Sequence, residues 1–117
     1  MIRRLVVSDA AREEFESVRA SLFARSSRSA REFVVASATA FESIEEFPFA
    51  KVVRGVRATM EIRRAKIGRW PYAFFYFVYP SVDFNTGEAL DVIHVLACLH
   101  ERQAEPNWQS RDPFRLP

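Results

Sequence analysis

Apolar residues divide the first half of the chain into one short strand and two helices. Ile2 to Val7 is an apolar run that suits a strand. Two series with helical spacing of three and four residues follow. The first is Ala11, Phe15, Val18 and Leu22, and the second is Phe33, Ser37, Ala40, Ile44 and Phe47. Because only a short segment separates them, we expect the two helices to pack as an antiparallel hairpin.

Polar residues predict where these helices begin and end. Ser8 or Asp9 is a suitable N-cap for the first helix. Arg25-Ser-Ser-Arg28 interrupts the apolar pattern and is predicted to be a loop. Ser29-Ala-Arg-Glu32 matches a capping box, which predicts the start of the second helix. Pro48 is predicted to end that helix.

The apolar period changes after Pro48 from helical to alternating. Val56 to Arg63 alternates apolar and polar residues, which predicts a strand with one buried face. The phase slips at Arg63-Arg64, and this predicts a β-bulge there. Two continuous apolar runs follow, and they predict two more strands. These strands are Tyr72–Tyr79, ended by Pro80, and Ala89–Leu99, which follows a turn at Asn85-Thr-Gly87.

Together these elements predict an α+β fold, with residues 1–117 as one domain. An N-terminal strand precedes an antiparallel helix hairpin and a three-stranded antiparallel meander, in the order β-α-α-β-β-β. The last two strands are apolar throughout, so we expect them at the centre of the sheet. The helix hairpin would cover one face. The other face is expected to show aromatic residues or to be covered by something outside this chain.

Composition indicates the cellular compartment of the protein and the kinds of partner it could bind. The chain has 117 residues, of which 49% are hydrophobic, and its net charge of +2 permits an anionic partner without requiring one. Cys98 is the single cysteine and lies in an apolar run, so we interpret it as a buried small hydrophobe in a reducing compartment. The N-terminus does not resemble a signal peptide, and no apolar run reaches the roughly 20 residues of a membrane helix. We therefore expect a cytoplasmic protein without membrane contact.

Motif chemistry favours neither a metal nor a cofactor. The chain has no P-loop, no nucleophile elbow and no His-Glu-x-x-His pattern. His94 and His100 are predicted to lie on the same face of one strand, about 20 Å apart at about 3.3 Å per residue, which is too far to share a metal ion. We interpret His94 as a structural residue. For His100, at the strand exit, a structural and a functional role both stay open.

Basic residues along the β half suggest a second type of site. They are Arg57, Arg63, Arg64, Lys66 and Arg69. Such a run is most often a solvated face, and the alternative is contact with phosphate groups. The tyrosines and phenylalanines of the Tyr72 strand could stack on bases, but core packing is the more common role.

Several short motifs, taken with the order of elements, resemble the RelE/ParE superfamily of type II toxin–antitoxin modules. Arg69-Trp-Pro-Tyr72 matches the Arg-x-Pro-Tyr sequence before an aromatic strand, and His100-Glu-Arg102 matches His-x-Arg after the last one. Trp108 lies eight residues after the His, and Arg111 three residues later, at the family spacings. Gln103 and Ala104 replace an Arg-Asp pair that many members carry, and Pro106 is displaced.

The resemblance implies one of two activities. RelE-like members cleave messenger RNA on the ribosome, and ParE-like members act on DNA gyrase. Ribonuclease members often carry an Arg after the residue that matches Tyr72, but this chain has Ala73. A donor worth about 10²–10³ in rate would then be missing. We therefore favour the ParE-like branch, with the ribosome-dependent mRNA endoribonuclease as the alternative. Under that alternative the resemblance implies Arg63, Arg64, His100 and Arg102 as the catalytic, phosphate-handling residues.

The resemblance also implies a protein partner. Such toxins are neutralised by a cognate antitoxin whose C-terminal segment wraps around the toxin, giving a toxin–antitoxin hetero-oligomer. An acidic, amphipathic segment that folds on binding is the expected ligand. A third hypothesis is an interaction domain without toxicity.

Overall fold

The computed structural model describes residues 2–109, so Arg111 lies outside the described residues. Its elements are β1 (Ile2–Val7), α1 (Asp9–Arg25), α2 (Ser27–Glu46), β2 (Val52–Arg57), β3 (Met60–Lys66), β4 (Tyr72–Val82) and β5 (Ala89–His100). The predicted α+β class and the helix hairpin are confirmed. Four strands follow the hairpin in the structure, where the sequence predicted three.

The five strands form one sheet in the order β1-β5-β4-β3-β2. β2 to β5 form an antiparallel meander, and β1 pairs in parallel with β5, from Ile2 opposite Leu90 to Val7 opposite Val95. The two long apolar strands, β4 and β5, therefore have neighbours on both sides, as their composition predicted. Their side chains fill the core on both faces of the sheet.

The extra strand comes from a two-residue turn that lacks the residues typical of such turns. Arg57 and Met60 are paired, so Ala58 and Thr59 form the tip of a β2–β3 hairpin. Ala58 has a φ of 54°, in the left-handed region where Gly or Asn is the usual choice. Because those residues are absent from the turn, the alternation continues through it and predicts one strand where two exist.

One serine links the two helices. The Ser26 backbone N–H donates to the Leu22 carbonyl at 2.8 Å, which ends α1, and its hydroxyl accepts from the Ser29 N–H at 3.2 Å, which begins α2. The predicted loop at residues 25–28 therefore shrinks to one residue, and the N-cap is Ser26 and not Ser29. Ser8 caps α1 as predicted, accepting from the Ala11 N–H at 3.2 Å.

The predicted bulge in β3 is wrong, because both faces of the sheet are buried there. Ile62 belongs to the cluster on the face away from the helices, and Ala65 belongs to the cluster beneath them. Arg63 and Arg64 pair regularly with β4, and the irregularity lies across from them in β2, between Val53 and Gly55. The phase slip in the apolar pattern of β3 therefore marks the point at which the buried apolar side chains change from one face of the sheet to the other.

Pro80 does not end β4, which continues to Val82. Pro80 pairs with Asp91 of β5, whereas the pairing of β4 with β3 stops at Tyr76. On the β3 side Pro80 thus lies on an edge, where a missing N–H breaks no ladder hydrogen bond.

The face away from the helices is covered by the chain itself. Trp108 is buried there among aliphatic and aromatic residues of β3, β4 and β5, and its ring centroid lies 5.2 Å from that of Phe75. The Gln109 side-chain amide holds this segment to the edge of β2, donating to the Val56 carbonyl at 2.9 Å and accepting from the Ala58 N–H at 3.2 Å. Trp108 and Gln109 together hold the segment after β5 against the sheet.

Candidate functional site

A polar concavity lies where β5 ends. It has a volume of about 100 Å³ and is lined by Arg54, Arg64, Phe75, Leu99, His100, Glu101, Gln103 and Glu105. Arg64 reaches it from β3, where it pairs with Phe75, and His100 is the last residue of β5. Two arginines and an imidazole around so small a space could hold an anion such as a phosphate.

Glu105 already neutralises part of this charge. Its Oε1 atom accepts from Arg54 Nε at 2.9 Å, and the two side chains are 27% and 46% exposed. An ion pair this exposed stabilises the fold by less than about 1 kcal/mol. An incoming anion would compete with Glu105 for Arg54 at little energetic cost.

His100 is held in one tautomer by its neighbours. Its Nδ1 atom accepts from the backbone N–H of Arg102 at 3.0 Å, and its ring meets the Tyr72 ring edge-on, with centroids 5.0 Å apart. When Nδ1 accepts, the proton of a neutral imidazole lies on Nε2. In that form His100 can donate a hydrogen bond, and it becomes a proton acceptor only if this contact breaks. The Arg102 side chain is exposed beside it.

Arg63 does not join this site. Neighbouring residues of a strand point to opposite faces, so Arg63 lies on the helix side of the sheet. Its guanidinium donates to the carbonyls of Phe49 at 3.0 Å and Lys51 at 2.7 Å, and pairs with Glu61 at 2.6 Å. Arg63 therefore secures the segment after α2. Of the four predicted residues, Arg64 and His100 share the concavity, Arg102 follows His100 along the chain, and Arg63 points away.

Ala73 is buried in the core behind the concavity. It is 1% exposed, pairs with Leu99, and belongs to the cluster that Trp108 closes. A longer side chain at this position would displace packed apolar groups. Ala73 therefore contributes packing and no hydrogen-bond donor.

The two histidines lie on opposite faces, so the expectation of a shared face is wrong. β5 carries an irregularity between Ala97 and Val95, because these two residues pair with the adjacent Phe75 and Tyr76. Leu96 is the extra residue, and it reverses which face of the sheet each later side chain of β5 lies on. His94 stacks on Phe77 on the Trp108 face, with ring planes 3° apart, whereas His100 contacts Tyr72, which packs beneath the helices.

Burial sets the chemistry of the other titratable core groups. The pKa of His94 is lowered by burial and by the nearby Arg57 charge, so His94 is neutral at pH 7. Burial and the Glu14 carboxylate raise the pKa of the Cys98 thiol to about 12. Glu14 also accepts from the Cys98 backbone N–H at 3.1 Å. Cys98 is thus an inert buried residue, as predicted.

Within residues 2–109 no cluster of three or more His, Cys, Asp or Glu is arranged to hold a metal ion.

A larger apolar groove lies on the outside of the helix hairpin, and the sequence pattern did not predict it. It has a volume of about 370 Å³, and we call it the hairpin groove. It is lined by Arg19, Phe23, Ser27, Ala30, Arg31, Val34 and Val35. Phe23 is 58% exposed and Val35 is 65% exposed. One signal could have found it: Phe33-Val34-Val35 is a run of three apolar residues, wider than the stripe that one buried helix face needs.

Comparisons with known proteins provide no family assignment. No protein-family model, no curated protein and no solved structure matches the chain. In the described part of the chain, neither helix is long and apolar enough to cross a membrane.

Proposed function

We propose that this protein is the toxin of a type II toxin–antitoxin module: a ParE-like growth inhibitor that binds DNA gyrase in the bacterial cytoplasm and is neutralised by a cognate antitoxin. The observation that carries the proposal is the hairpin groove. Its apolar floor includes Phe23, Val34 and Val35, and it remains open in the isolated chain. Large exposed apolar surfaces on small proteins are typical of partner-binding sites.

The rim of the groove indicates what kind of segment binds there. Arg19 and Arg31 line it, and Arg19 is already paired with Glu16, so an incoming acidic group would meet Arg31 directly and would compete with Glu16 for Arg19. An amphipathic helix with apolar residues at intervals of three and four, and with acidic residues on its borders, complements both the apolar floor and these arginines. This is the segment expected of an antitoxin that folds on binding.

The polar concavity favours binding over catalysis. Arg63 is committed to the carbonyls of Phe49 and Lys51, Ala73 supplies no donor, and His100 Nδ1 is occupied by the Arg102 N–H. A ribonuclease needs a base within reach of the attacking hydroxyl and donors around the developing phosphate charge. Arg64 and the Nε2–H group of His100 can supply donors without a rearrangement, but His100 can act as the base only if its contact with the Arg102 N–H breaks.

A ribosome-dependent mRNA endoribonuclease is the second candidate. It is favoured by one observation, that Arg54, Arg64 and His100 line the same concavity. In this case Arg54 and Arg64 would bind phosphate, and His100 would act as the proton donor. Glu105 would have to release Arg54 first.

Induced expression in a bacterial host tests the proposal. Growth arrest with linearised or abnormally supercoiled plasmid is the expected result. Co-expression of the antitoxin, which we expect to be a small acidic protein encoded in the adjacent reading frame, should restore growth. Arrest with cleaved messenger RNA and normal plasmid would instead support the ribonuclease. Normal growth, with the protein present in soluble form, would leave a non-toxic interaction domain.

A matched pair of variants tests the role of the groove. Val35→Glu places an acidic group on the groove floor and should abolish neutralisation by the antitoxin. Val52→Glu changes a valine of similar exposure, 59%, on β2 and should leave neutralisation intact. Equal neutralisation of both variants would show that the antitoxin binds elsewhere.

A further inference from the structure

Phe84 is the most exposed large hydrophobic side chain among the described residues. It is 99% exposed, at the tip of the loop between β4 and β5, and Val82 beside it is 49% exposed. The two stand at the end of the hairpin formed by the longest strands of the sheet. Leaving a phenylalanine in water sacrifices the burial energy of its ring, so its position calls for a physical reason.

The loop that carries Phe84 is closed by hydrogen bonds on both sides of it. The Asp83 N–H donates to the Glu88 carbonyl at 2.9 Å, and the Gly87 N–H donates to the Asp83 carbonyl at 2.7 Å. The Asp83 carboxylate accepts from the Asn85 N–H at 2.8 Å. Gly87 has a φ of +74°, which suits glycine and closes the turn.

A rigid aromatic projection is a suitable anchor for a protein interface. Ordering a flexible loop on binding opposes association, and a loop ordered beforehand avoids that cost. Aromatic side chains that fill a pocket on the partner carry much of the binding energy of interfaces. The Phe84 loop therefore has the form of a preorganised anchor.

The charges around Phe84 indicate the chemistry of its partner. Asp83 precedes Phe84 and Glu88 closes the same loop four residues later, and Arg4 lies 3.6 Å from the Asp83 carboxylate. Residues 83–88 carry these two acids and no basic residue, and only Asp83 is paired with Arg4, so the loop that carries Phe84 is net negative. An anionic membrane surface would repel this loop. An apolar pocket with basic residues at its rim would complement it.

The Phe84 loop and the hairpin groove lie at different ends of the fold. α1 begins beside Val95, where the Ser8 N–H donates to the Val95 carbonyl, and passes Cys98 through Glu14. It thus runs along the second half of β5 and carries Phe23 away from the loop that precedes Ala89. One partner could occupy the groove without covering Phe84.

From these features we propose that Phe84 is the anchor with which this protein binds its cellular target. That target is a protein with an apolar pocket that has basic residues at its rim. This inference rests on the proposed toxin function and adds the surface that meets the target. The antitoxin segment occupies the hairpin groove, and the target pocket receives Phe84. Inhibition and neutralisation then depend on different residues.

Growth arrest in a bacterial host tests the proposal whatever protein the target is. Wild type, Phe84→Ser, Phe84→Tyr and Phe47→Ser are expressed at matched levels, and surviving colonies are counted. Phe47→Ser is the control, because Phe47 is also an exposed phenylalanine, at 57%, but lies after α2. Phe84→Ser should lose arrest, and Phe84→Tyr should retain most of it. Binding to purified DNA gyrase should weaken about 30-fold or more in Phe84→Ser.

Each outcome decides between the anchor and another role. Arrest by the wild type and equally by Phe84→Ser would overturn the anchor and leave the toxin function standing. Loss of arrest in Phe47→Ser as well would also overturn it. Absence of arrest by the wild type would overturn the toxin function and the anchor with it. Phe84-dependent binding to vesicles of phosphatidylglycerol would assign the residue to a membrane surface, and Phe84-dependent self-association in sedimentation would assign it to a second copy of this chain. Either result would overturn the proposal that Phe84 binds a separate target protein.

Discussion

Gly55 and Trp108 fit together because position 55 has no side chain. A Cβ atom built on Gly55 would lie 2.8 Å from Cδ1 and 3.1 Å from Nε1 of the Trp108 indole. Gly55 is in β2 next to its bulge, and Trp108 is 6% exposed on the face of the sheet away from the helices. The close approach lets the indole reach the edge of the sheet and close the second core cluster.

Gly55→Ala should therefore destabilise the fold by about 1–3 kcal/mol, since the indole has to shift in a packed environment. Trp108→Ala should cost about 3–5 kcal/mol through loss of buried area and a cavity. In the Trp108→Ala background, Gly55→Ala should cost almost nothing. Urea unfolding of the four proteins measures this coupling, and additive effects would contradict the packing described.

Substitutions of the neighbouring residues Arg63 and Arg64 are expected to affect the stability of the fold differently. Arg63→Ala should destabilise the fold by about 1–3 kcal/mol, because charge-assisted hydrogen bonds to the carbonyls of Phe49 and Lys51 are lost. Arg64→Ala should change stability by less than about 0.5 kcal/mol. Thermal unfolding gives the comparison. Growth arrest by Arg64→Ala should equal that of the wild type if gyrase is the target, and should fall if the protein cleaves RNA.

His94 should make the protein less stable in mild acid. Burial and the Arg57 charge lower the pKa of His94 below 6.5 in the folded state, so the unfolded chain binds the proton more readily. The stabilising contribution is thus present above pH 6.5 and is lost as the pH falls through the folded-state pKa. Urea unfolding from pH 8 to pH 5 should show a shallower decline for His94→Phe. Parallel curves for the two proteins would contradict this role.

Cys98 and Tyr76 should make the protein less stable in alkali. Burial raises the pKa of Cys98 from 9.0 to about 12 and that of Tyr76 from 10.0 to about 12. Between these values the folded state holds protons that the unfolded chain releases, so stability is complete below pH 9 and falls as the pH rises toward 12. Cys98→Ala should flatten the decline that begins near pH 9. Reaction of native Cys98 with a disulfide reagent at pH 8 should be slow until denaturant is added.

Much of the helical half could be predicted from local pattern. Ala11, Phe33 and Ile44 are buried where the spacing placed them, and Ser8 is the N-cap. Helix signals lie within a few residues of one another, so a single sequence contains them. The N-cap of α2 is Ser26, although Ser29 was predicted. Both serines have a hydroxyl that could cap the helix, so the sequence does not distinguish them. In the fold Ser26 is the cap because it also ends α1.

The candidate site was less predictable. His100, Arg64 and Arg102 could be named from the sequence, but the bulge at Leu96 decides that His100 faces away from His94. Arg54 and Glu105 were missed, because they lie 51 residues apart and meet only when the segment after β5 folds back. The hairpin groove was missed because it is made by residues that the buried helix faces do not use.

The sequence by itself determined β1, the helix hairpin and the central position of β4 and β5, since these follow from periodicity and burial over short ranges, but it did not separate β2 from β3. Tertiary structure alone decided the parallel pairing of β1 with β5, the facing of each arginine and histidine, and the closure of the second face by Trp108. These features depend on contacts between residues far apart in the chain. A one-residue change of register reverses which face a side chain occupies, and that register is fixed only when the whole sheet assembles.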